Sequence, residues 1–155
     1  MYWYPILQVF VGLVFLLGCT RTPNPITTSS SSGPLNVEMW ASASCIQSGQ
    51  TIHLRATVTN RGDHTQIINL TDKPVLDIVF GNPDTGRRWS DDKPLTPDLM
   101  HIEIAPSTSK SIEMDWVGEQ GSYGAVTIWA ILNENNKGDR IRPGVTIAIG
   151  SCPGP

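Results

Sequence analysis

Three histidines are the side chains of this sequence best suited to acid–base or metal chemistry. His64 follows Asp63, and this pair could begin a metal site, because imidazole nitrogens and carboxylate oxygens both bind zinc. No second histidine or cysteine stands at ligand spacing from them. His53 and His101 lie far apart, each in a strand-like pattern. The sequence therefore predicts solvent-facing strand histidines and no metal site.

The sequence lacks the common signatures of nucleophilic and phosphate chemistry. It has no Gly-x-Ser-x-Gly, His-Glu-x-x-His, Cys-x-x-Cys or phosphate-loop pattern. Composition leaves a Ser–His–Asp triad open, but nothing singles out one serine among many. The net charge of −3 is too weak for a nucleic-acid-binding surface. We therefore expect a protein that is not an enzyme, has no cofactor and binds no nucleic acid.

Two arginine-containing motifs suggest contacts with other proteins. The Arg61-Gly62-Asp63 tripeptide matches an integrin-type motif, but its residues are those of a plain hairpin turn, which we favour. Arg87 and Arg88 precede Trp89, and arginine and tryptophan are frequent anchors at protein interfaces. The alternative to an interaction patch is that these residues form the edge of a strand with the indole of Trp89 in the core. For Trp89 we favour the core. Arg87 and Arg88 are the candidate protein-binding residues.

The beginning of the chain has the pattern of an export signal. Residues 6–17 are nearly all apolar, which fits the roughly 7–15-residue core of a signal peptide. The run falls short of the ~20 residues of a membrane-spanning helix. It ends in Leu16-Leu17-Gly18-Cys19, which resembles the lipobox of bacterial lipoproteins. In that motif the small residue admits the peptidase and the cysteine thiol accepts a diacylglyceryl group.

These features predict an extracytoplasmic lipoprotein on the cell membrane or outer membrane. We assign residues 1–18 to the signal peptide and Cys19 to lipidation. Residues 1–5 contain no Lys or Arg, in contrast to the usual basic leader. The alternative is an uncleaved signal anchor in which Cys19 has no role. Residues 19–34, rich in Ser, Thr and Pro, are predicted to be a flexible tether, and residues 35–155 one domain.

From residue 35 onwards, short alternating apolar runs predict a chain of β-strands. The clearest alternation covers residues 52–59, and no window sustains a period near 3.6. About eight strands at hairpin-like spacing predict an immunoglobulin-like antiparallel β-sandwich. The predicted strands cover residues 37–43, 52–59, 66–70, 74–80, 100–104, 112–116, 125–132 and 145–149.

The two cysteines of the domain complete the cysteine count. With Cys19 assigned to lipid, Cys45 and Cys152 remain as a pair. An oxidising compartment outside the cytoplasm would let them close a disulfide. This bridge would tie the beginning of the domain to its end.

Several segments carry a family resemblance. They include the strand that ends at Asn60, the strand of residues 73–80, the Trp-Ser segment 86–90, the hairpin 102–116 and the closing strand 142–146. Together they resemble the BsuPI-like family of intracellular proteinase inhibitors. The resemblance implies an immunoglobulin-like sandwich and inhibition of a serine proteinase. This chain departs from the family in its export signal, its cysteine pair and its longer segment 119–139.

Two functions from different classes follow. The first is a membrane-tethered protein-binding module, with inhibition of a serine proteinase as one outcome. Its loops 91–97 and 119–123 are natural contact sites, because loops on a rigid scaffold often carry recognition. The second is a structural accessory lipoprotein of the cell envelope without inhibitory activity, whose edge strands could pair with a partner strand.

Lipidation of Cys19 can be tested by mass spectrometry of the full chain expressed in a bacterial host. We expect a membrane-bound product that lacks residues 1–18 and carries lipid. Cys19→Ala should abolish both changes, because the thiol is the lipid acceptor. An unmodified chain in the soluble cytoplasm would contradict the assignment and favour an intracellular inhibitor.

Overall fold

A computed structural model of the chain describes residues 24–119, 121, 123–134, 141–150 and 152. This part contains eleven β-strands and one short helix. In chain order the elements are β1 (Ile26–Ser32), β2 (Leu35–Ala41), β3 (Cys45–Ile46), β4 (Thr51–Asn60), β5 (Gln66–Asn69), β6 (Leu76–Phe80), β7 (Arg87–Arg88), α1 (Pro97–Met100), β8 (His101–Ile104), β9 (Ser109–Val117), β10 (Gly124–Leu132) and β11 (Gly144–Ile149). No helix in these ranges is long and apolar enough to cross a membrane.

The strands form two main sheets that enclose one hydrophobic core. Sheet A has the order β1-β2-β4-β9, and sheet B has the order β3-β11-β10-β6-β7. A small third sheet pairs β5 with β8. All strand pairs are antiparallel except the short parallel pair of β3 and β11. The predicted all-β, immunoglobulin-like sandwich is confirmed, with three more strands than the eight counted in the sequence.

Strand β4 shows why this sequence forms a sandwich. Its buried and partly exposed residues alternate without a break, because successive side chains of a strand point to opposite faces. Ile52, Leu54, Ala56 and Val58 all lie in the core. β4 pairs with β2 on one side and with β9 on the other, so it is an inner strand of sheet A.

The end of β4 is organised by Asn60, whose side chain is fully buried. Its amide donates hydrogen bonds to the backbone carbonyls of His64 and Ile104, at 2.8 and 2.9 Å. Its Oδ1 atom accepts a bond from the backbone N–H of Gly62 at 2.9 Å. Arg61-Gly62-Asp63 is therefore a turn held by Asn60. The expected hairpin is wrong, because β4 belongs to sheet A whereas β5 pairs with β8.

Part of the predicted tether is instead the first strand. β1 pairs with β2 along its whole length, and the two strands are joined by a two-residue turn with Gly33 at φ +54°. The hydroxyl of Thr28 also donates to the carbonyl of Gly144 at 2.9 Å. The prediction of flexible chain is therefore wrong for Ile26–Ser32. This serine- and threonine-rich strand has no apolar period, and its order comes from the backbone ladder to β2.

The predicted disulfide between Cys45 and Cys152 is confirmed. The two Cα atoms are 5.6 Å apart, and 107 positions separate the cysteines in sequence. Cys45 begins β3, which pairs with the last strand, β11. The bridge therefore fastens the segment after the last strand to the third strand of the domain, and it restricts the conformations open to the unfolded chain.

Replacing Asn60 tests how far the end of β4 depends on one buried amide. Asn60→Ala leaves two carbonyls and one N–H without their partner, so we expect a loss of about 3 kcal/mol in the free energy of unfolding. Chemical denaturation of the two proteins measures this loss. Asn82→Ala is the control, since Asn82 also accepts backbone N–H bonds but in an exposed turn. Equal losses in both variants would contradict this role of Asn60.

Candidate functional site

A groove lies between the two sheets where β9 and β7 form their edges. It consists of a side channel of about 460 Å³ and an end pocket of about 290 Å³. Four residues line both parts: Phe80, Arg87, Trp116 and Glu119. We call this continuous depression the edge groove. It is the place where the described part of the chain brings aromatic and charged side chains together over the core.

Two aromatic rings form the floor of the edge groove. Phe80 ends β6 and pairs with the buried Ile128, while Trp116 stands near the end of β9 opposite the buried Ile52. Both rings therefore point between the sheets. Their centroids are 5.6 Å apart with the planes tilted by 32°. Because both strands end here, the rings pack against the core but are only partly covered.

The mouth of the end pocket carries an exposed aromatic side chain. Tyr123 is 82% exposed. Its ring lies over Gly150, where a Cβ atom would be only 2.5 Å from the ring and where φ is +112°. A glycine at this position is therefore required for the tyrosine to lie as it does. Tyrosine is one of the side chains enriched among the residues that dominate binding energy at protein interfaces.

The two arginines of β7 have different surroundings. The side chain of Arg87 is 73% exposed and lines the groove, with its nearest carboxylate, that of Asp92, at 3.6 Å. The side chain of Arg88 is 27% exposed, and its guanidinium lies 3.6 Å from the carboxylate of Asp77. Its backbone N–H donates to Asp91 at 2.7 Å. Arg87, paired with an exposed acid, is thus accessible to a partner, whereas Arg88 is held by buried and backbone groups of its own domain.

Asp77 is a buried carboxylate that links β6 to the loop beyond β7. It accepts a hydrogen bond from the hydroxyl of Ser90 at 2.7 Å and one from the backbone N–H of Ile78 at 3.0 Å. Burial raises the pKa of Asp77, and the bond from Ser90 and the charge of Arg88 partly oppose this rise. The sequence analysis missed this residue. Its signal was a lone acid within the apolar run of residues 75–80.

The predicted contact loops flank the edge groove. Asp92 and Lys93 of loop 91–97 line the side channel, and Glu119 and Tyr123 of loop 119–123 line the end pocket. The ammonium of Lys93 lies 4.5 Å from the ring centroid of Trp89. Trp89, expected in the core, is partly buried: it packs against the core and also lines the side channel. Residues 120 and 122, like the predicted lipidation site Cys19, lie outside the described residues.

The three histidines lie apart, and none lines the edge groove. His53 faces outward from sheet A, with its ring nitrogens 3.0 Å from Asp115 and 3.5 Å from Glu113. His64 pairs with its neighbour Asp63, and His101 hydrogen-bonds to Asn69. Within the described ranges no group of three His, Cys, Asp or Glu side chains is arranged to hold a metal ion.

Comparisons with known proteins bear on the fold. No family model matches the chain, and no curated protein matches it significantly in sequence. The sporulation control protein Spo0M of Bacillus subtilis has a TM-score of 0.50 at 13% identity, covering 78% of this chain and 51% of its own. A CARDB domain from Pyrococcus furiosus, solved in complex with di-metal ions, matches this chain with a TM-score of 0.42 at 14% identity. The match covers 81% of this chain and 94% of the CARDB domain. A β-glucosidase from Erythrobacter marinus matches this chain with a TM-score of 0.43 at 11% identity. The match covers 81% of this chain and 15% of the β-glucosidase.

The likeness to Spo0M shows a shared fold alone at this level of identity. The chain spans about half the length of Spo0M and 15% of the β-glucosidase.

The buried carboxyl of Asp77 predicts a distinct dependence of stability on pH. Because its pKa is raised in the folded state, the folded protein binds this proton more tightly than the unfolded chain does. The contribution of Asp77 to stability should therefore fall as the pH rises from the ordinary Asp value, about 4, through the raised value. Denaturation of wild type and Asp77→Asn between pH ~3 and ~7 measures this.

The difference in unfolding free energy between the two proteins should change across this interval in favour of Asp77→Asn. Asn82→Ala is the control, since it removes no ionisable group and lies in an exposed turn, so its difference in unfolding free energy from wild type should not depend on pH. Parallel curves for wild type and Asp77→Asn would contradict the effect of burial.

Proposed function

We propose that this chain is a protein-binding module, held at a membrane surface outside the cytoplasm by lipid on Cys19, which captures its partner in the edge groove. One observation carries the proposal: the aromatic floor of Phe80 and Trp116 opens beside the exposed Tyr123 and Arg87. Tyr, Trp and Arg are the side chains that most often provide binding energy at protein interfaces.

The chemistry of the groove supports a protein as the partner. Its floor is apolar, and its rim carries charges of both signs, including Arg87, Lys93, Glu113 and Glu119. An apolar centre surrounded by a polar, solvated rim is the usual anatomy of a protein–protein interface. The exposed Val117 adds apolar surface on the β9 side.

We infer inhibition of a serine proteinase as the form of binding to test first. The resemblance to the BsuPI-like family supports it, and so does the build of loop 91–97. This loop contains Pro94 and Pro97, and it is held at its start by Asp91 on the N–H of Arg88 and by the Lys93 N–H on the carbonyl of Ser90. A loop restrained in this way loses little entropy when it enters a partner's cleft.

The double variant Arg87→Glu/Tyr123→Ser tests the groove. Both side chains are exposed, so we expect a change in stability of about 0.5 kcal/mol or less. Loss of two interface anchors should weaken partner capture about thirtyfold. Capture is measured by crosslinking in envelope fractions, and inhibition by titration of a panel of secreted serine proteinases.

Arg61→Glu is the matched control, because it makes the same charge change at an exposed position in the turn after β4. Stoichiometric inhibition that the control retains and the double variant loses would support an inhibitor. Capture without inhibition would leave a binding module of another kind, such as an accessory component of the cell envelope. Equal capture by the control and the double variant would contradict the proposal.

A further inference from the structure

We infer that the partner contributes an extended segment that adds to the free edge of β9, with basic and apolar side chains in alternation. This inference rests on the proposed function and specifies the class of partner. It follows from the position of β9 in sheet A, from the charges on its outer face and from the apolar side chains on its inner face.

Strand β9 offers a backbone edge for pairing. All nine of its residues pair with β4, and no other described strand pairs with it. In an antiparallel ladder, alternate residues direct their N–H and C=O groups away from the neighbouring strand. Such an edge is a template for an incoming strand, which gains main-chain hydrogen bonds along its length. The edge groove runs beside the residues from Glu113 to Val117.

The outer face of β9 carries two acids. The side chains of Glu113 and Asp115 are 51% and 72% exposed, and they lie two residues apart on one face. Among the described residues, His53 is their only ionic partner. Arg55 stands opposite Glu113 in the ladder, but its guanidinium lies over the ring of Trp40, 5.1 Å from the centroid. No arginine or lysine of the described chain therefore forms a close ion pair with these two carboxylates, although Arg87 and Lys93 line the same side channel.

An incoming strand would place two side chains, also two residues apart, across from these acids. Opposite charges directly across a ladder stabilise the pairing, and like charges weaken it. The incoming residues should therefore be Lys or Arg. A second copy of β9 does not supply these basic residues: in antiparallel pairing centred on Met114, Glu113 of each copy would face Asp115 of the other.

The inner face of β9 requires apolar side chains from the same segment. Ile112, Met114 and Trp116 pack against the core but stay partly exposed at the edge. Intervening residues of an added strand would cover them. One such side chain would reach the end pocket, whose walls include Val126 and Ile149. The complete recognition pattern is thus basic–apolar–basic–apolar over at least four residues.

Three labelled ten-residue peptides test this pattern on the full chain in detergent. The first alternates Lys and Val, the second alternates Glu and Val, and the third has five Lys followed by five Val. By fluorescence anisotropy, the first should bind about tenfold more tightly than either of the others. It should also slow hydrogen exchange over residues 109–117. N-methylation of alternate peptide amides should abolish binding, because the ladder loses its donors.

Charge reversal locates the recognition on β9. Glu113→Lys/Asp115→Lys should reverse the preference, so that the Glu–Val peptide binds more tightly than the Lys–Val peptide. Asp63→Lys is the matched control, since Asp63 is also an exposed acid paired with a histidine, but it lies in the turn after β4. This control should keep the preference of the wild type.

The inference is overturned if the alternating Lys–Val peptide shows no preference over the other two, or if charge reversal leaves the preference unchanged. If capture of the native partner still depends on Arg87 and Tyr123 in that case, the proposed function stands and only the strand-addition mode fails. If capture is also insensitive to the Arg87→Glu/Tyr123→Ser variant, both fail.

Discussion

The two ladders of β4 are the interactions on which the rest of this domain depends. β4 lies between β2 and β9, and its inner face supplies four buried side chains to the core. The side-chain amide of its last residue, Asn60, donates to the carbonyl of His64, just before β5, and to that of Ile104, at the end of β8. A strand with one buried and one solvent-exposed face has a strongly specified register against its neighbours. A slip of one residue would move its apolar side chains to the solvent and its polar side chains to the core.

The position of β4 also determines the chemistry at the edge of sheet A. His53 projects from the solvent-facing side of β4 toward the acids of β9, whereas Arg55 turns the other way, over the ring of Trp40 on β2. On the inner face, the register that pairs Ile52 with Trp116 brings the indole toward Phe80 of the other sheet. The same ladder thus places an acidic row outside the sandwich and an aromatic floor inside the groove.

Sheet B contributes rigidity on the opposite side of the groove. The buried Asp77 ties Ser90 and Arg88 to β6, so the segment that presents Arg87 is fixed by bonds in the interior. Burial of a carboxylate is unfavourable unless hydrogen bonds and a positive charge compensate it. Here both compensating groups come from one short stretch of chain. The position of this segment is therefore fixed by a buried carboxyl group, and burial raises the pKa of that group.

Sequence alone determined the elements whose signal is local. The alternation in β2, β4 and β9 and the β-branched and aromatic residues of β10 predicted strands. The odd cysteine count left Cys45 and Cys152 as a pair, and polar, proline-containing segments marked loops. Such features depend on periods and residue types that are visible within one segment. Tertiary structure decided the rest: the order of β1, the turn rather than hairpin after β4, the partner of Arg88, and the meeting of Phe80 with Trp116. These depend on which strands become neighbours and in what register, and that choice is made by packing between segments distant in sequence.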